Sequence, residues 1–330
     1  MLPLTLPSLL NQDFGRYEVV VADDGSSDGT AELAMGLAEE TGGSVAVVIC
    51  APKPTGWAGK VHAQQCGLDA ILGSGAVPEW TLLSDADIRH PDDSLSSLIA
   101  QAQRGGYDMV SVMARLHAGS FWERLLIPPF VFFFNLLYPF RSVRHRSSEV
   151  AAAAGGCVLV RTAALVEAGG FAAIQGELID DVALARLLKS HHRQLWLGFD
   201  PQIESVRPYR SLAELWEMVA RSAFVQLGYR YWLVPPVALG LAIFFVGPPV
   251  LALAGFAAHS AIIVLLSLAA WLLQAFHLYP YGRHHRVPAA YSFLLPLASA
   301  FYAAMTVSSA WRHLLRQGSR WKERDYGSPE

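Results

Sequence analysis

Hydrophobic and polar residues are distributed very differently in the two parts of this chain of 330 residues. Between residues 231 and 311 the only formally charged residues are Arg283 and Arg286. Apolar stretches at 231–256, 260–280 and 289–311 each approach the ~20 residues that a helix needs to span a bilayer. We therefore predict a polar domain over residues 1–230, a transmembrane region with two to three helices over 231–311, and a basic tail over 312–330.

The number of membrane crossings depends on the first apolar stretch, which contains Pro235, Pro236, Pro248 and Pro249. A helix in lipid tolerates proline only where neighbouring groups satisfy the freed carbonyls. With a cytosolic polar domain, three full crossings would also place the basic tail outside, against the preference of Lys and Arg for the cytosol. We predict that this first stretch is kinked or partly re-entrant, and the sequence leaves two or three crossings open.

Strand and helix patterns alternate in the first 230 residues. Apolar runs predict strands at 18–22, 45–50, 80–84, 108–114 and 156–161, and helical patterns cover 28–40, 61–72 and 91–104, the first with Asp28 as its N-cap. This alternation is typical of an α/β fold with a mostly parallel sheet that helices cover on both faces. Ligands are then expected beyond the carboxyl ends of the strands.

Composition narrows the class of protein. A content of 53% hydrophobic and 16% charged residues is too apolar for an ordinary soluble protein, and the net charge of −3 argues against a nucleic-acid partner. The three cysteines, Cys50, Cys66 and Cys157, lack paired spacing and are expected as buried reduced thiols. The polar domain is therefore expected to face the cytosol.

Two carboxylates follow the strand predicted at 80–84. If the chain stays extended, the side chains of Asp85 and Asp87 point the same way at the carboxyl end of the strand. Such a pair suits Mg²⁺ or Mn²⁺, which substrate phosphates would also coordinate. The alternative is a solvated turn without a ligand, because Asp-x-Asp is common at strand ends.

A second acidic pair, Asp23 and Asp24, ends the strand predicted at 18–22 and precedes a turn rich in Gly, Ser and Asp. These carboxylates can accept hydrogen bonds from a nucleobase or from ribose hydroxyls. A P-loop is excluded because no Walker-type Lys follows. A simple strand-turn-helix junction explains residues 26–30 equally well.

Three motifs together resemble glycosyltransferase family 2, which has the GT-A fold. They are DDGSSDGT at 23–30, DAD at 85–87 and IDDVAL at 179–184. Further stretches resemble the hopene-associated subgroup of membrane glycosyltransferases, namely KPTGWAGK at 53–60, PFVFFFN at 129–135 and RSAFVQL at 221–227. The resemblance covers nearly the whole chain.

The resemblance implies roles for individual residues. Asp23 and Asp24 would hold the uridine of a nucleotide sugar, and Lys60 would lie near its diphosphate. Asp85 would bind the ribose and, with Asp87, the divalent metal. Asp181 would act as the general base, and Arg221 would bind the donor. Such a base would take the proton of the acceptor hydroxyl in an inverting transfer; the alternative is that Asp180 and Asp181 only open a helix.

Two departures from the family pattern matter. Family members usually begin with a strand and a Pro-x-x-Asn-Glu-like turn, whereas residues 2–10 here resemble the helix that follows it. We expect the first strand to be missing, either because the start codon is placed too far downstream or because the protein is truncated. In the Gln-x-x-Arg-Trp motif only Arg221 matches, with Met218 and Ser222 at the flanking positions. Transfer of a single sugar is therefore favoured over polymer synthesis.

Residues 121–140 are apolar and aromatic, but they lie between two parts of the polar domain that must share one side of the membrane. A single crossing is excluded on that ground. We predict a helix in the membrane interface, with burial in the domain core as the alternative.

Histidines 62, 90, 117, 191 and 192 show no spacing typical of metal ligands.

Three functions fit these observations. The favoured one is a multi-pass protein of the inner (plasma) membrane with a cytoplasmic catalytic domain, which transfers one sugar from a UDP-linked donor to a lipid, as the resemblance implies a hopanoid or another polyterpenoid. The second is a non-catalytic membrane protein that binds nucleotide sugars or lipids. The third, a phosphoacceptor domain, has no place for the pair at 85–87 or for the membrane anchor.

Overall fold

The computed structural model describes residues 1–315 and the backbone of 319–321 and 324–326. Part of the predicted basic tail, including Arg316 and Lys322, lies outside the described residues. The helices are α1 (Leu2–Leu10), α2 (Thr30–Thr41), α3 (Gly59–Gly73), α4 (Ser94–Gly105), α5 (Phe121–Leu137), α6 (Phe140–Arg144), α7 (Thr162–Glu167), α8 (Asp180–Ser190), α9 (Leu212–Gln226), α10 (Val234–Leu241), α11 (Gly247–Ala257), α12 (Ala261–His284) and α13 (Leu295–Leu314). The strands are β1 (Val19–Asp23), β2 (Val45–Ile49), β3 (Trp80–Ser84), β4 (Ile88–Arg89), β5 (Met109–Arg115), β6 (Cys157–Arg161), β7 (Leu195–Ser205), β8 (Ser319–Trp321) and β9 (Arg324–Tyr326).

The chain folds as two compact units. The first contains Met1–Leu116 and Asn135–Arg207, and the second contains His117–Phe134 and the chain from Pro208 onward. These units differ in their bounds from the polar domain predicted over residues 1–230, which stays a prediction: the first unit ends at residue 207 and does not contain the segment 117–134. Local apolar patterns do not reveal that the segment 117–134 belongs to the second unit, because this depends on which distant part of the chain the segment packs against.

The larger sheet of the first unit is mixed. Its strand order is β3-β6-β5-β7-β4, with β5 and β7 parallel and with antiparallel pairing of β3 with β6, β5 with β6, and β4 with β7. The α/β class is confirmed, but the expectation of a mostly parallel sheet is wrong for this part. The Ser111 hydroxyl of β5 donates to the Ala154 carbonyl at 3.2 Å and accepts from the Ala154 N–H at 2.8 Å, which holds the chain just before β6 beside β5.

A separate parallel pair is formed by β1 and β2. Val19 and Val21 pack with the buried residues Leu6 and Leu10 of α1, and Ala34 and Ala38 of α2 complete this cluster. Within the part of the chain that the structure describes, the other edges of β1 and β3 have no strand partner. The predicted helix at residues 2–10 is confirmed as α1, whose Thr5 hydroxyl donates to the carbonyl of Ala86 at 2.8 Å.

Two predicted helix starts shift along the chain. Helix α2 begins at Thr30 with Gly29 at the N-cap, where φ is +75°. Asp28 instead forms a local turn, because its Oδ1 accepts hydrogen bonds from the Thr30 hydroxyl at 2.6 Å and the Thr30 N–H at 3.2 Å. Helix α4 begins at Ser94 rather than Pro91, with Asp93 at its N-cap.

The second unit contains three helical segments that are long and apolar enough to cross a membrane: Tyr231–Ala257, Ala261–His284 and Ala289–Leu314. The first stays helical throughout its 27 residues, through a π-helical turn at Ala242–Val246 just before Gly247 and its two prolines. At ~1.5 Å per residue this segment exceeds the ~30 Å hydrocarbon core. The structure thus gives no break at which the chain would turn back as predicted.

Helices α9 and α13 pack through polar contacts. The indole N–H of Trp216 donates to the Ser308 hydroxyl at 3.1 Å, and the Phe224 N–H donates to the Ser309 hydroxyl at 3.0 Å. Small hydroxylated residues at a helix interface let the backbones approach closely. This contact assigns α9, which the sequence placed in the polar domain, to the second unit.

Helix α5 is largely buried, including Leu125, Leu126, Ile127 and Val131. Within the second unit, the Tyr302 hydroxyl donates to the Leu126 carbonyl at 2.8 Å, and Phe132 and Phe133 contact the rings of Tyr281 and Tyr302. These contacts favour the alternative of burial over a freely interfacial helix. Contact of this helix with the membrane interface stays a prediction.

Candidate active site

The site is organised around the Lys60 ammonium, which joins residues distant in the sequence. Its Nζ lies 2.8 Å from Asp85 Oδ1 and 3.1 Å from Asp180 Oδ2. Gln64, one turn further along α3, donates from Nε2 to the same Asp180 oxygen at 3.0 Å. The start of α3 is held in place because the Ala58 N–H donates to the Gln175 carbonyl at 2.7 Å. Lys60 thus connects the β3–β4 turn with the start of α8.

Asp181 occupies the first turn of α8, where the helix dipole favours a carboxylate. Its Oδ2 accepts a hydrogen bond from the Gly155 N–H at 2.7 Å, and its Oδ1 lies 2.8 Å from the Val182 N–H. A Cβ at position 155 would lie 3.1 Å from Asp181 Oδ2 and 3.2 Å from Lys60 Nζ. Only glycine therefore allows the backbone to approach both charged groups without displacing them.

The electrostatics of this cluster favour a base at neutral pH. Burial and the neighbouring Asp180 charge raise the pKa of Asp181 to about 7, against the opposing effect of Lys60 and the two N–H donors. Burial disfavours charge on Lys60, but the carboxylates of Asp180, Asp85 and Asp181 outweigh it and raise the Lys60 pKa. Lys60 therefore stays charged while Asp181 can exchange a proton near pH 7.

The segment from Asp85 to Asp87 is a turn between β3 and β4, and not an extended strand end. The Ile88 N–H donates to the Asp85 carbonyl at 3.0 Å, which closes the turn. The two carboxylates have different partners: Asp85 contacts Lys60, whereas Asp87 Oδ2 accepts a hydrogen bond from the Ser205 hydroxyl at 2.8 Å. The extended geometry expected for residues 85–87 is therefore not present, although the two charges interact.

Asp85 and Asp87 carry the oxygen ligands that a hard divalent cation prefers, and their joint binding of Mg²⁺ or Mn²⁺ stays a prediction. Burial, together with the charges of Asp180 and Asp87, raises the pKa of Asp85 even though Lys60 opposes the shift. The cluster of Asp85, Asp180 and Asp181 around Lys60 thus contains more carboxylates than the single ammonium can neutralise. Among residues 1–315 no group of three or more His, Cys, Asp or Glu side chains is arranged to hold a metal. Two carboxylates suffice for Mg²⁺ or Mn²⁺ when phosphate oxygens complete the coordination.

Asp23 and Asp24 lie at the end of β1, near α3. Asp23 is buried and its Oδ1 accepts a hydrogen bond from the Ser26 N–H at 2.9 Å, so part of it serves the turn itself. Asp24 Oδ1 lies 3.5 Å from Nδ1 of His62, which is also buried. Lys60 and His62 therefore face different carboxylates from one helix.

The cysteines are free thiols, as expected. Cys50 and Cys157 are buried, and Cys66 is half-buried. Burial, contact with Cys66 and the charges of Asp24 and Asp23 raise the pKa of Cys50 to about 12. Cys50 is therefore a protonated neighbour of the Asp23 and Asp24 pair.

One predicted residue belongs to a different unit from the others, and three further residues contact the predicted ones. Arg221 is exposed on α9 in the second unit, so its role in donor binding stays a prediction. Gln64, Gly155 and Ser205 were not predicted from the sequence. The pair Gly155-Gly156 after four alanines was a usable signal, because glycine before a strand often marks a close backbone approach.

Comparison with known sequences gives the family. The profile of Glycosyl transferase family 2 matches residues 1–169. Undecaprenyl-phosphate 4-deoxy-4-formamido-L-arabinose transferase from Pseudomonas aeruginosa (strain LESB58) is 31% identical over 127 residues, which cover 36% of this chain and 34% of that protein. The protein of the same name from Enterobacter sp. (strain 638) is 33% identical over 105 residues, which cover 32% of this chain and 28% of that protein. The chain thus spans about a third of the length of these curated relatives.

Solved structures give a weaker match. TarS from S. aureus in complex with UDP-GlcNAc aligns with 99% of this chain and 92% of its own, at 16% identity and a TM-score of 0.41. With the mixed sheet and the three apolar helical segments, the family match confirms the predicted α/β domain of GT-A type followed by a membrane region.

Proposed function

The chain belongs to glycosyl transferase family 2, and on this basis we propose that it is a membrane-anchored inverting transferase that moves a single sugar from a UDP-linked donor to a lipid hydroxyl. The observation that carries this proposal is the half-buried Asp181 carboxylate, whose pKa is raised to about 7 beside Lys60. Efficient general bases have pKa values near the working pH. Asp181 meets this requirement, and Lys60 beside it stays charged at that pH.

Direct inversion needs one carboxylate to accept the proton of the acceptor while the sugar–phosphate bond breaks. Asp181 Oδ2 would take that proton, and the Gly155 N–H would keep the carboxylate oriented. The Lys60 ammonium supplies positive charge at the same place, which favours binding of a diphosphate. Asp85 and Asp87 would hold Mg²⁺ or Mn²⁺, and such an ion stabilises negative charge on a departing diphosphate.

The chemical nature of the acceptor distinguishes two candidates. A lipid hydroxyl, such as that of a hopanoid or another polyterpenoid, carries a proton that must be removed, which favours the role of Asp181. A lipid phosphate is already largely ionised at neutral pH, since its second pKa is near 6. The curated relatives are named for undecaprenyl phosphate, and this favours the phosphate as the second candidate.

The membrane segments support a location in the inner (plasma) membrane. Three helical segments are long enough to cross it. We place the catalytic domain in the cytoplasm, because Arg283 and Arg286 between the second and third segments prefer that side after two crossings. Free thiols at three cysteines accord with a reducing compartment.

The proposal is tested by incubating membranes that contain the protein with radiolabelled UDP-sugars and extracting the lipids. Transfer of label to an alkali-stable neutral lipid supports a hydroxyl acceptor, and label in a lipid phosphate supports the second candidate. Absence of transfer, together with no metal-dependent release of UDP from any UDP-sugar, would favour a non-catalytic protein that only binds nucleotide sugars or lipids.

A further inference from the structure

One surface of the first unit carries five basic residues without acidic partners. Arg141, Arg144 and Arg146 lie in or just after α6, and Arg186 and Lys189 lie one turn apart on α8. The four arginines are exposed and Lys189 is half-buried. We call these five residues the basic surface.

Two contacts hold the basic surface together. Lys189 Nζ donates to the carbonyls of Val143 and His145 at 3.0 and 3.1 Å, which attaches the end of α8 to the segment after α5. Arg144 lies over the Trp196 ring at 4.6 Å and donates from Nε to the Leu197 carbonyl at 2.8 Å. These contacts fix Lys189 against the segment 143–145 and Arg144 against residues 196 and 197 of β7.

Several other arginines of the first unit pair with carboxylates. Arg89 and Arg115 both pair with Glu204, and Arg161 pairs with Glu79. None of the five residues of the basic surface forms an ion pair with a carboxylate among residues 1–315. Glu149 is the single acidic residue between positions 141 and 150. The surface therefore presents a concentrated positive charge to its surroundings.

Apolar side chains are exposed directly beside this charge. Leu136 and Leu137, at the end of α5, are 54% and 58% exposed. Arg186 Nη2 donates to the Tyr138 hydroxyl at 3.3 Å, which places the basic surface next to this leucine pair. Exposed apolar residues beside clustered Lys and Arg are typical of segments that lie on anionic membranes.

We propose that the basic surface, with Leu136 and Leu137, binds the anionic head groups of the bilayer in which the chain is anchored. Anionic phospholipid complements the unpaired arginines, and the leucine pair would enter the head-group region. The net charge of −3 for the whole chain argues against nucleic acid as the partner. The proposal depends on the membrane anchor and not on the transferase reaction, so each can fail separately.

The test uses hydrogen exchange of the full chain in nanodiscs. Amides of residues 136–147 are expected to exchange several times more slowly in discs that contain phosphatidylglycerol than in discs of phosphatidylcholine alone. At 1 M salt, where the Debye length falls to about 3 Å, the difference should largely disappear. Substituting Arg141→Gln together with Arg146→Gln should weaken the association roughly 30-fold and remove the protection.

The matched control removes two exposed charges elsewhere in the first unit, as Arg16→Gln with Lys53→Gln. This variant should keep the lipid-dependent protection. Equal exchange in both kinds of disc would overturn the proposal, as would equal loss in the control variant. Protection by inorganic phosphate in phosphatidylcholine discs would also overturn it, because the surface would then be a site for free phosphate.

Discussion

The backbone N–H of Gly155 donates a 2.7 Å hydrogen bond to Oδ2 of Asp181, across 26 residues of sequence. This contact orients the carboxylate that we propose as the general base, and it depends on the lack of a side chain at position 155. The role of Asp181 as base, the orientation of its carboxylate and the effect of its charged neighbours can each be tested by a different variant.

The variant Gly155→Ala should lower transfer while the protein stays folded. Its new Cβ would lie 3.1 Å from Asp181 Oδ2, so the carboxylate must move by a few tenths of an ångström. We expect a loss of about tenfold in kcat, because small misplacements of a reacting group are costly. Gly36→Ala is the control, since no atom lies within 4 Å of its new Cβ in α2. Equal kcat for both variants would show that the orientation of Asp181 is unimportant.

The variant Asp181→Asn should lower the transfer rate to a hydroxyl acceptor by about 10² to 10⁴, because the amide cannot accept the proton. Donor affinity, measured by calorimetry, should change little. Glu177→Gln, at an exposed position before α8, is the matched control and should stay active. If Asp181→Asn keeps nearly wild-type transfer to a hydroxyl acceptor, Asp181 only opens the helix.

The rate of transfer should rise with pH around neutrality. Burial and Asp180 raise the pKa of Asp181 to about 7, so below that pH the base is protonated and kcat should fall about tenfold per pH unit. The pH profile at saturating donor measures this. A rate that is flat from pH 5.5 to 8 would contradict the assignment.

The same shift predicts a dependence of stability on pH. The folded protein binds the Asp181 proton up to about pH 7, whereas an unfolded Asp releases it near pH 3.9. The free energy of unfolding should therefore fall as the pH rises from about 4 to 7 through this group. Thermal unfolding in detergent should show that Asp181→Asn weakens this dependence.

Lys60 should control both donor binding and the pKa of the base. The Lys60 charge lowers the pKa of Asp181, so Lys60→Met should move the pH profile to higher pH and raise the donor KM. Lys60→Arg keeps the charge and should restore the position of the profile. If Lys60→Met leaves the profile in place, the ammonium does not act on Asp181.

A divalent ion at the β3–β4 turn can be tested directly. Asp87→Ala should weaken Mn²⁺ binding, measured by electron paramagnetic resonance, and should lower turnover by orders of magnitude. Ser205→Ala removes the hydrogen bond to Asp87 but keeps the carboxylate, so this variant should still bind Mn²⁺. Equal loss in both variants would assign Asp87 a structural role instead.

The sequence by itself determined the features that depend on local pattern. Strand β3 occupies residues 80–84 as predicted, helix α8 begins at the predicted acidic pair, and the three apolar segments form long helices. The family motifs also indicated Lys60, Asp85 and Asp181 as site residues, and the structure brings these three into one charged cluster. Periodicity, caps and apolar runs involve neighbouring residues, and a single sequence records them.

Only the tertiary structure decided how distant segments meet. It decided that β6 runs antiparallel to its neighbours, that the turn after β3 directs Asp85 and Asp87 to different partners, and that Gly155 supports Asp181. Lys60 and Asp180 are 120 positions apart, and their contact requires α3, β3 and α8 to be assembled first. Such contacts arise from strand pairing and backbone approach between remote segments, and local residue preferences do not encode these.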